Sequence, residues 1–255
     1  MSKKLLITNV QRMSLSDGPG IRTTVFFKGC NLRCPWCANP ENISGIPQEY
    51  SIGGRKGIYG KEYSYEELYK LIMRDRFFYG EEGGVTFSGG EPLLYINDAL
   101  PLINRLKEEQ ISVALETALY VPYQAWKNAI DSIDYFYVDI KVLDPMTSSE
   151  VLGGDVQCYK DNVRYLKENG KKTVFRIPLN KEYTMKQDNL SLLFDFLKMY
   201  SEIPVEVFPT HNLGKEKYRS LGLRETKFAR ISTTEINEIV KCIREIGCNV
   251  SINDY

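Results

Sequence analysis

Six short runs rich in β-branched and aromatic residues recur along the chain, at 22–28, 84–88, 111–117, 134–140, 173–178 and 204–209, with longer stretches of helical spacing around them. Parallel strands cannot be joined by tight turns, so this alternation predicts a parallel sheet built through crossover helices. Ser64 and Glu67 spell a capping box ahead of Tyr65, Leu68, Tyr69, Ile72 and Met73, which share one helix face. Leu190, Leu193, Phe194 and Leu197 repeat that spacing, as do Ile236, Ile239, Val240 and Ile243 behind a second box, Ser232 with Glu235. Six βα units predict an α/β fold, a partial (β/α)6 TIM-like barrel open on one side, in a single domain over 1–255. The Gly-rich polar stretch 44–63 shows no clear period and reads as a surface loop.

Reactive groups of such barrels gather at the carboxyl ends of the strands. The polar residues that fit a core least fall there: Ser88, Gly89, Gly90 and Glu91 after the second strand, Glu116 and Thr117 at the third, Asp139 and Lys141 at the fourth, Arg176 on the fifth, and His211 after the sixth. The loop after the first strand, "GCNLRCPWCANP", holds Cys30, Cys34 and Cys37. A closed zinc or iron–sulfur site takes four protein ligands, so three leave a metal position open for something exchangeable. A four-iron cluster with one free iron suits that pattern; inert thiols, or a zinc knuckle completed by His211, are the alternatives. An open iron can chelate the amino and carboxylate groups of an amino acid. Gly89 and Gly90 let main chain approach a ligand, and Pro92 biases Glu91 toward an extended conformation.

Composition narrows the partners. Lys plus Arg, 33 residues, balance Asp plus Glu, also 33, which leaves no overall basic field for nucleic acid. The opening "MSKKLLITNV" has too short an apolar run for a signal peptide, and no stretch approaches the ~18 apolar residues of a membrane span, so a cytoplasmic protein with no membrane partner is expected. Cys158, Cys242 and Cys248 are too scattered for a disulfide framework, in keeping with a reducing compartment.

The C-x3-C-x2-C loop after a strand resembles the radical S-adenosylmethionine superfamily. Below that level, "DGPGIRTTVFFKGCNLRCPWCANPE" (17–41) and "RDRFFYGEEGGVTFSGGEPLL" (74–94) resemble the activating enzymes of glycyl-radical enzymes, of which the activator of pyruvate formate-lyase is the best known. "YVDIK" (137–141), "FRIP" (175–178) and "PTHNLGKEKY" (209–218) look like their later motifs. The resemblance implies one [4Fe-4S] cluster on Cys30, Cys34 and Cys37, and S-adenosylmethionine bound by Ser88, Gly89, Gly90 and Glu91 at its amino group. It implies Trp36 beside the adenine, His211 near the adenosine, and Lys141 and Arg176 toward the methionyl carboxylate. A monovalent cation among Glu116, Thr117 and Asp139 would adjoin that carboxylate, and Asp17 would meet a glycine loop of the partner. The implied partners are a glycyl-radical enzyme, bound transiently, and a flavodoxin- or ferredoxin-type electron donor.

Departures from the family pattern are visible. Glu116 stands where Asp is usual, Tyr137 replaces an apolar residue, and "RIPLNKEYT" lacks a Pro-Gly turn. Residues 42–63 contain no cysteine, so the ferredoxin-like insert of some relatives is not expected. The resemblance favours an activase that abstracts a glycine Cα hydrogen; the alternative is the same radical framework acting on a peptide or small metabolite. An electron carrier or zinc module would leave Gly89, Gly90, Asp139, Lys141 and Arg176 unexplained.

Overall fold

The computed structural model describes residues 4–211 and 214–253. Strand β1 (Lys4–Ser14) leads to β2 (Arg22–Phe27), followed by β3 (Gln48–Ile52), β4 (Arg55–Tyr59) and β5 (Lys61–Ser64). Then come β6 (Gly84–Gly89), β7 (Ser112–Thr117), β8 (Tyr135–Asp139), β9 (Thr173–Leu179), β10 (Val205–Pro209) and β11 (Val250–Ile252). The main sheet runs β11-β10-β9-β8-β7-β6-β2-β1-β5, and its different end strands leave it open. The six expected strands pair in parallel in chain order. A seventh parallel strand, β11, extends β10, and β1 runs antiparallel to both β2 and β5; neither edge was anticipated. The three residues of β11 carry no alternation long enough to read.

Period two within each strand separates two chemistries. One set, Phe26, Ser88, Glu116, Asp139, Arg176, Pro178 and Phe208, lines a central cavity. The alternating set, including Val25, Phe87, Leu115, Val138, Phe175 and Val207, is 0% exposed. One face is therefore covered, and the other borders the cavity. The apolar set packs beneath helices α1 (Tyr65–Met73), α2 (Ile96–Glu108), α4 (Val156–Glu168), α5 (Gln187–Lys198) and α7 (Thr233–Glu245), whereas α3 (Pro145–Thr147) is a single turn and α6 (Lys215–Ser220) lies against β3. Both expected capping boxes form, Ser64 with Glu67 and Ser232 with Glu235.

The stretch 44–63 is not the loop it was expected to be. β3 and β4 form a separate two-stranded hairpin, and β5 joins the main sheet. The turn between them is Gly53-Gly54, both at positive φ (55° and 82°), as a two-residue hairpin turn with primed geometry demands. Tyr50 and Tyr59 stack across the pair at 4.3 Å.

Segment 15–21 folds against the strands through Arg22, whose side chain is fully buried. The guanidinium donates to Thr86 Oγ1 (2.6 Å), Val85 O (2.6 Å), Pro19 O (3.0 Å) and Ser112 O (3.1 Å). Burial pulls its pKa below the ordinary arginine value. These neutral acceptors satisfy its donors and tie the turn before β2 to β6 and β7.

Candidate active site

A cavity of about 420 Å³ opens at the carboxyl ends of the parallel strands, within the size range of small-molecule sites. Its walls bring together residues far apart in the chain: Cys30, Cys34, Trp36 and Cys37 from the loop after β2, Ser88, Gly89 and Gly90 from β6, and Glu116 and Thr117 from β7. Asp139 and Lys141 enter from β8, Arg176 from β9, and His211 from the segment after β10, while Asp17 comes from the turn before β2. His211 is exposed. Of the residues singled out in the sequence, Glu91 alone does not line the cavity.

Glu91 is instead a buried tie between two strand ends. Its Oε1 accepts from Thr117 Oγ1 (2.7 Å) and Leu93 N (3.1 Å), and its Oε2 from Ala118 N (2.9 Å). Its own N–H donates to Gly29 O at 2.8 Å, and Gly90 N–H to Phe27 O at 2.9 Å. Burial pushes this carboxyl up to about 7, against the pull of those donors.

The cysteine loop is held by its backbone. Gly29 N–H donates to Asn42 O (2.8 Å), Cys30 N–H to Ile43 O (3.1 Å) and Cys37 N–H to Cys34 O (3.1 Å). Leu32 N–H points at Cys30 Sγ, 3.4 Å away. Burial pushes Cys30 and Cys37 up to about 12 and also raises Cys34, where Lys141 opposes it. Such thiols ionise when metal displaces their protons. Below the loop, Lys28 is fully buried and donates to Gln48 Oε1 (2.8 Å) and to the carbonyl of Glu41. Lys217 of α6 donates to Asn39 Oδ1 and Glu41 Oε1, each at 2.6 Å. Hairpin and α6 thus clamp the loop, a network absent from the sequence reading because its members come from four separate segments.

Along the opposite wall, acids and bases are paired. Arg176 Nη1 donates to Glu116 Oε1, and its Nε lies 3.9 Å from Asp139 and 4.0 Å from Glu206. Ser88 donates to Glu116 Oε2 at 2.5 Å. Lys141 Nζ donates to Asp139 Oδ2 at 2.9 Å. Burial alone would lower the Lys141 ammonium, but Asp139 and the nearby thiols lift it above the ordinary lysine range. Burial raises Glu116, and Arg176 counters it. Trp36, 8% exposed, packs on Tyr183 with ring centroids 5.4 Å apart. Asp17 meets the cavity with a carboxylate already engaged by the hydroxyls of Ser14 (2.6 Å) and Thr24, while its carbonyl accepts from Thr86 (2.6 Å). Phe26, Pro178 and Phe208 also line the space and were not singled out; Pro178 shares the parity of Arg176 along β9, whereas Phe26 and Phe208 join the wall through cross-strand register with Ser88 and Pro178.

The donor set, three thiols on one wall of the cavity, fits an iron–sulfur cluster. Among the described residues no group of three or more His, Cys, Asp or Glu is gathered tightly enough for one metal ion. Three thiols serving different irons of one cluster need no such convergence. The cavity beside them offers backbone at Gly89 and Gly90, cations at Lys141 and Arg176, and an aromatic face at Trp36. That is a complementary surface for an amino acid joined to an adenosine.

Comparison with known proteins agrees with this chemistry. The model of the radical SAM superfamily matches residues 24–193. The pyruvate formate-lyase 2-activating enzyme of Escherichia coli is 34% identical over 236 residues, covering 85% of this chain and 80% of that protein. The trans-4-hydroxy-L-proline dehydratase activating enzyme of Clostridioides difficile is 31% identical, covering 97% and 98%. A radical SAM methyltransferase from Sphaerobacter thermophilus shares the fold, with TM-score 0.62 at 17% identity over 97% of this chain and 76% of that one. The chain belongs to the radical SAM superfamily and, within it, to the activating enzymes of glycyl-radical enzymes. A [4Fe-4S] cluster and S-adenosylmethionine are the cofactors of that superfamily.

Proposed function

We propose that this protein is an activase that removes one Cα hydrogen from a glycine of a partner glycyl-radical enzyme. The observation that carries the reading is the open-sided cavity, which places the three cysteines, the two glycines and the paired acids and bases around one space. It is supported by curated relatives, 28–34% identical over 85–100% of this chain, that are all named activating enzymes. When bound, the cluster supplies an electron and S-adenosylmethionine supplies the 5′-deoxyadenosyl radical.

The residues of this chain bind and orient. Cys30, Cys34 and Cys37 hold the cluster, and Gly89 and Gly90 present main chain to the methionyl amino group. Lys141 and Arg176 receive the carboxylate, and Trp36 and His211 border the adenosine. The hydrophobic members of the wall, Phe26, Pro178 and Phe208, limit water around the reacting carbon. Substrate enters from the open side, and a glycine loop suits that entrance because it can approach with little side-chain bulk. A flavodoxin- or ferredoxin-type protein delivers the electron. All six cysteines are unpaired with one another, in keeping with work in a reducing cytoplasm, and among the described residues no helix is long and apolar enough to cross a membrane.

The test is anaerobic incubation of the reduced, reconstituted protein with S-adenosylmethionine and a glycyl-radical enzyme encoded beside it, followed by electron paramagnetic resonance. A doublet split by the glycine α-hydrogen, with one deoxyadenosine released per radical, is expected. Absence of the doublet, with deoxyadenosine release accelerated instead by a peptide or metabolite, would give the protein to the alternative.

A further inference from the structure

The family resemblance implies an inorganic monovalent cation among Glu116, Thr117 and Asp139, and the donors present do not fit one. Both Glu116 oxygens are engaged, Oε1 by Arg176 Nη1 and Oε2 by Ser88 Oγ at 2.5 Å. The Thr117 hydroxyl donates to Glu91 at 2.7 Å and accepts from Leu119 N–H at 2.8 Å. Asp139 is held by Lys141 at 2.9 Å and lies 3.9 Å from Arg176 Nε. Each carboxylate that would surround an ion already faces a fixed cation of the chain, so an added ion would meet a guanidinium and an ammonium.

The cause lies in reach. β7 and β9 are separated by β8, so their backbones stand about 9.6 Å apart at ~4.8 Å per strand. Glutamate extends one methylene further than aspartate across that gap, enough to close on the guanidinium. Cross-strand register helps, since Asp139 is paired with Arg176 and Arg176 with Glu206. Ser88 from β6 fixes the far oxygen and leaves Glu116 little freedom to turn toward an ion.

We propose that the guanidinium of Arg176, held by Glu116, whose far oxygen Ser88 fixes, stands in for the inorganic cation, so that this protein binds S-adenosylmethionine without any alkali-metal ion. The planar fork of arginine serves two carboxylates at once, Glu116 on one side and the methionyl carboxylate on the other. Glu116 is then a positioning residue for Arg176. The inference deepens the cofactor side of the functional reading above and rests on it for cofactor binding, but not on which substrate the radical attacks.

The test measures anaerobic binding of S-adenosylmethionine to the oxidised, cluster-loaded protein, where no cleavage competes. Affinity is compared in buffers of equal ionic strength containing only tetramethylammonium, or potassium, or sodium. An ion bridging protein and cofactor couples to affinity by about 5- to 150-fold, so the wild type is expected to change less than about twofold. Glu116→Asp withdraws from Arg176 and is expected to gain a dependence of about fivefold or more on potassium or sodium. Should that variant fail to load its cluster, Ser88→Ala, which frees the far oxygen of Glu116, carries the same arm. Tightening of the wild type by about fivefold or more with either ion overturns the proposal. Indifference of the loaded variant overturns the role of Glu116. Absence of binding in every buffer overturns the proposal and the functional reading together, a result distinct from the other two.

Discussion

Glu91 has no exposed surface, and burial pushes its carboxyl up to about 7 from an ordinary value of 4.5. Between those values the unfolded chain has lost a proton that the native protein keeps, so stability falls as pH rises from about 4.5 to about 7 and is then level. Each unit of separation amounts to ~1.4 kcal/mol. Glu91→Gln does not titrate, and the wild-type urea midpoint relative to that variant is expected to fall across this window. A constant difference would contradict the buried-tie assignment. Cys34 makes a second test at the same scale. Anaerobic reconstitution of the wild type is expected to yield a brown, oxygen-sensitive protein with about four irons, and Cys34→Ala to lose the cluster. Tightly bound, colourless zinc in the wild type would refute the cluster assignment.

At the scale of elements, strand pairing decides what a substitution reports. The sequence suggests Gly89→Val as a probe of backbone approach to the cofactor. In the structure a Cβ at Gly89 would lie 2.4 Å from both N and O of Phe27, at φ +110°, so a side chain there disrupts β2 against β6 before any ligand is involved. Gly89→Ala is expected to cost at least the ~1–3 kcal/mol of a strained backbone and to lower the thermal midpoint clearly; an unchanged midpoint would show that the two strands yield. Helix starts are simpler. The Ser232 hydroxyl accepts from Glu235 N–H and the Ser232 N–H donates back to Glu235 Oε2, so Ser232→Ala should cost about 1 kcal/mol in chemical unfolding. A cost near zero would mean that α7 is held by its apolar face alone.

For the molecule as a whole, the open side of the barrel is expected to govern turnover. A deoxyadenosyl radical reacts usefully only with a hydrogen held close to it, so cleavage of S-adenosylmethionine is expected to be slow without a partner and to accelerate when one fills the cavity. A partner loop that leaves its own fold to enter the cavity would keep the complex weak and transient, which a binding measurement under anaerobic conditions checks. Deoxyadenosine release that is fast and unaffected by any partner would contradict this. The sequence by itself determined the βα alternation, the strand positions, both capping boxes and the cysteine loop, because these depend on residues adjacent or at fixed period along the chain. It also placed Cys30 in the loop after the first strand and Ser88, Glu116, Asp139 and Arg176 toward strand ends, since β-branched and aromatic runs mark the strands without knowledge of neighbours. It did not determine the β3–β4 hairpin, whose Gly53-Gly54 turn was legible but whose flanks, rich in polar residues, hid the alternation. Tertiary structure alone decided which ends meet. Sheet order put Glu116 within reach of Arg176, burial turned Glu91 from a cofactor-facing residue into a tie between β6 and β7, and α6 closed on Glu41 across 176 residues of sequence. Those contacts depend on distances between strands and on exclusion of water, quantities that exist only once the chain has packed.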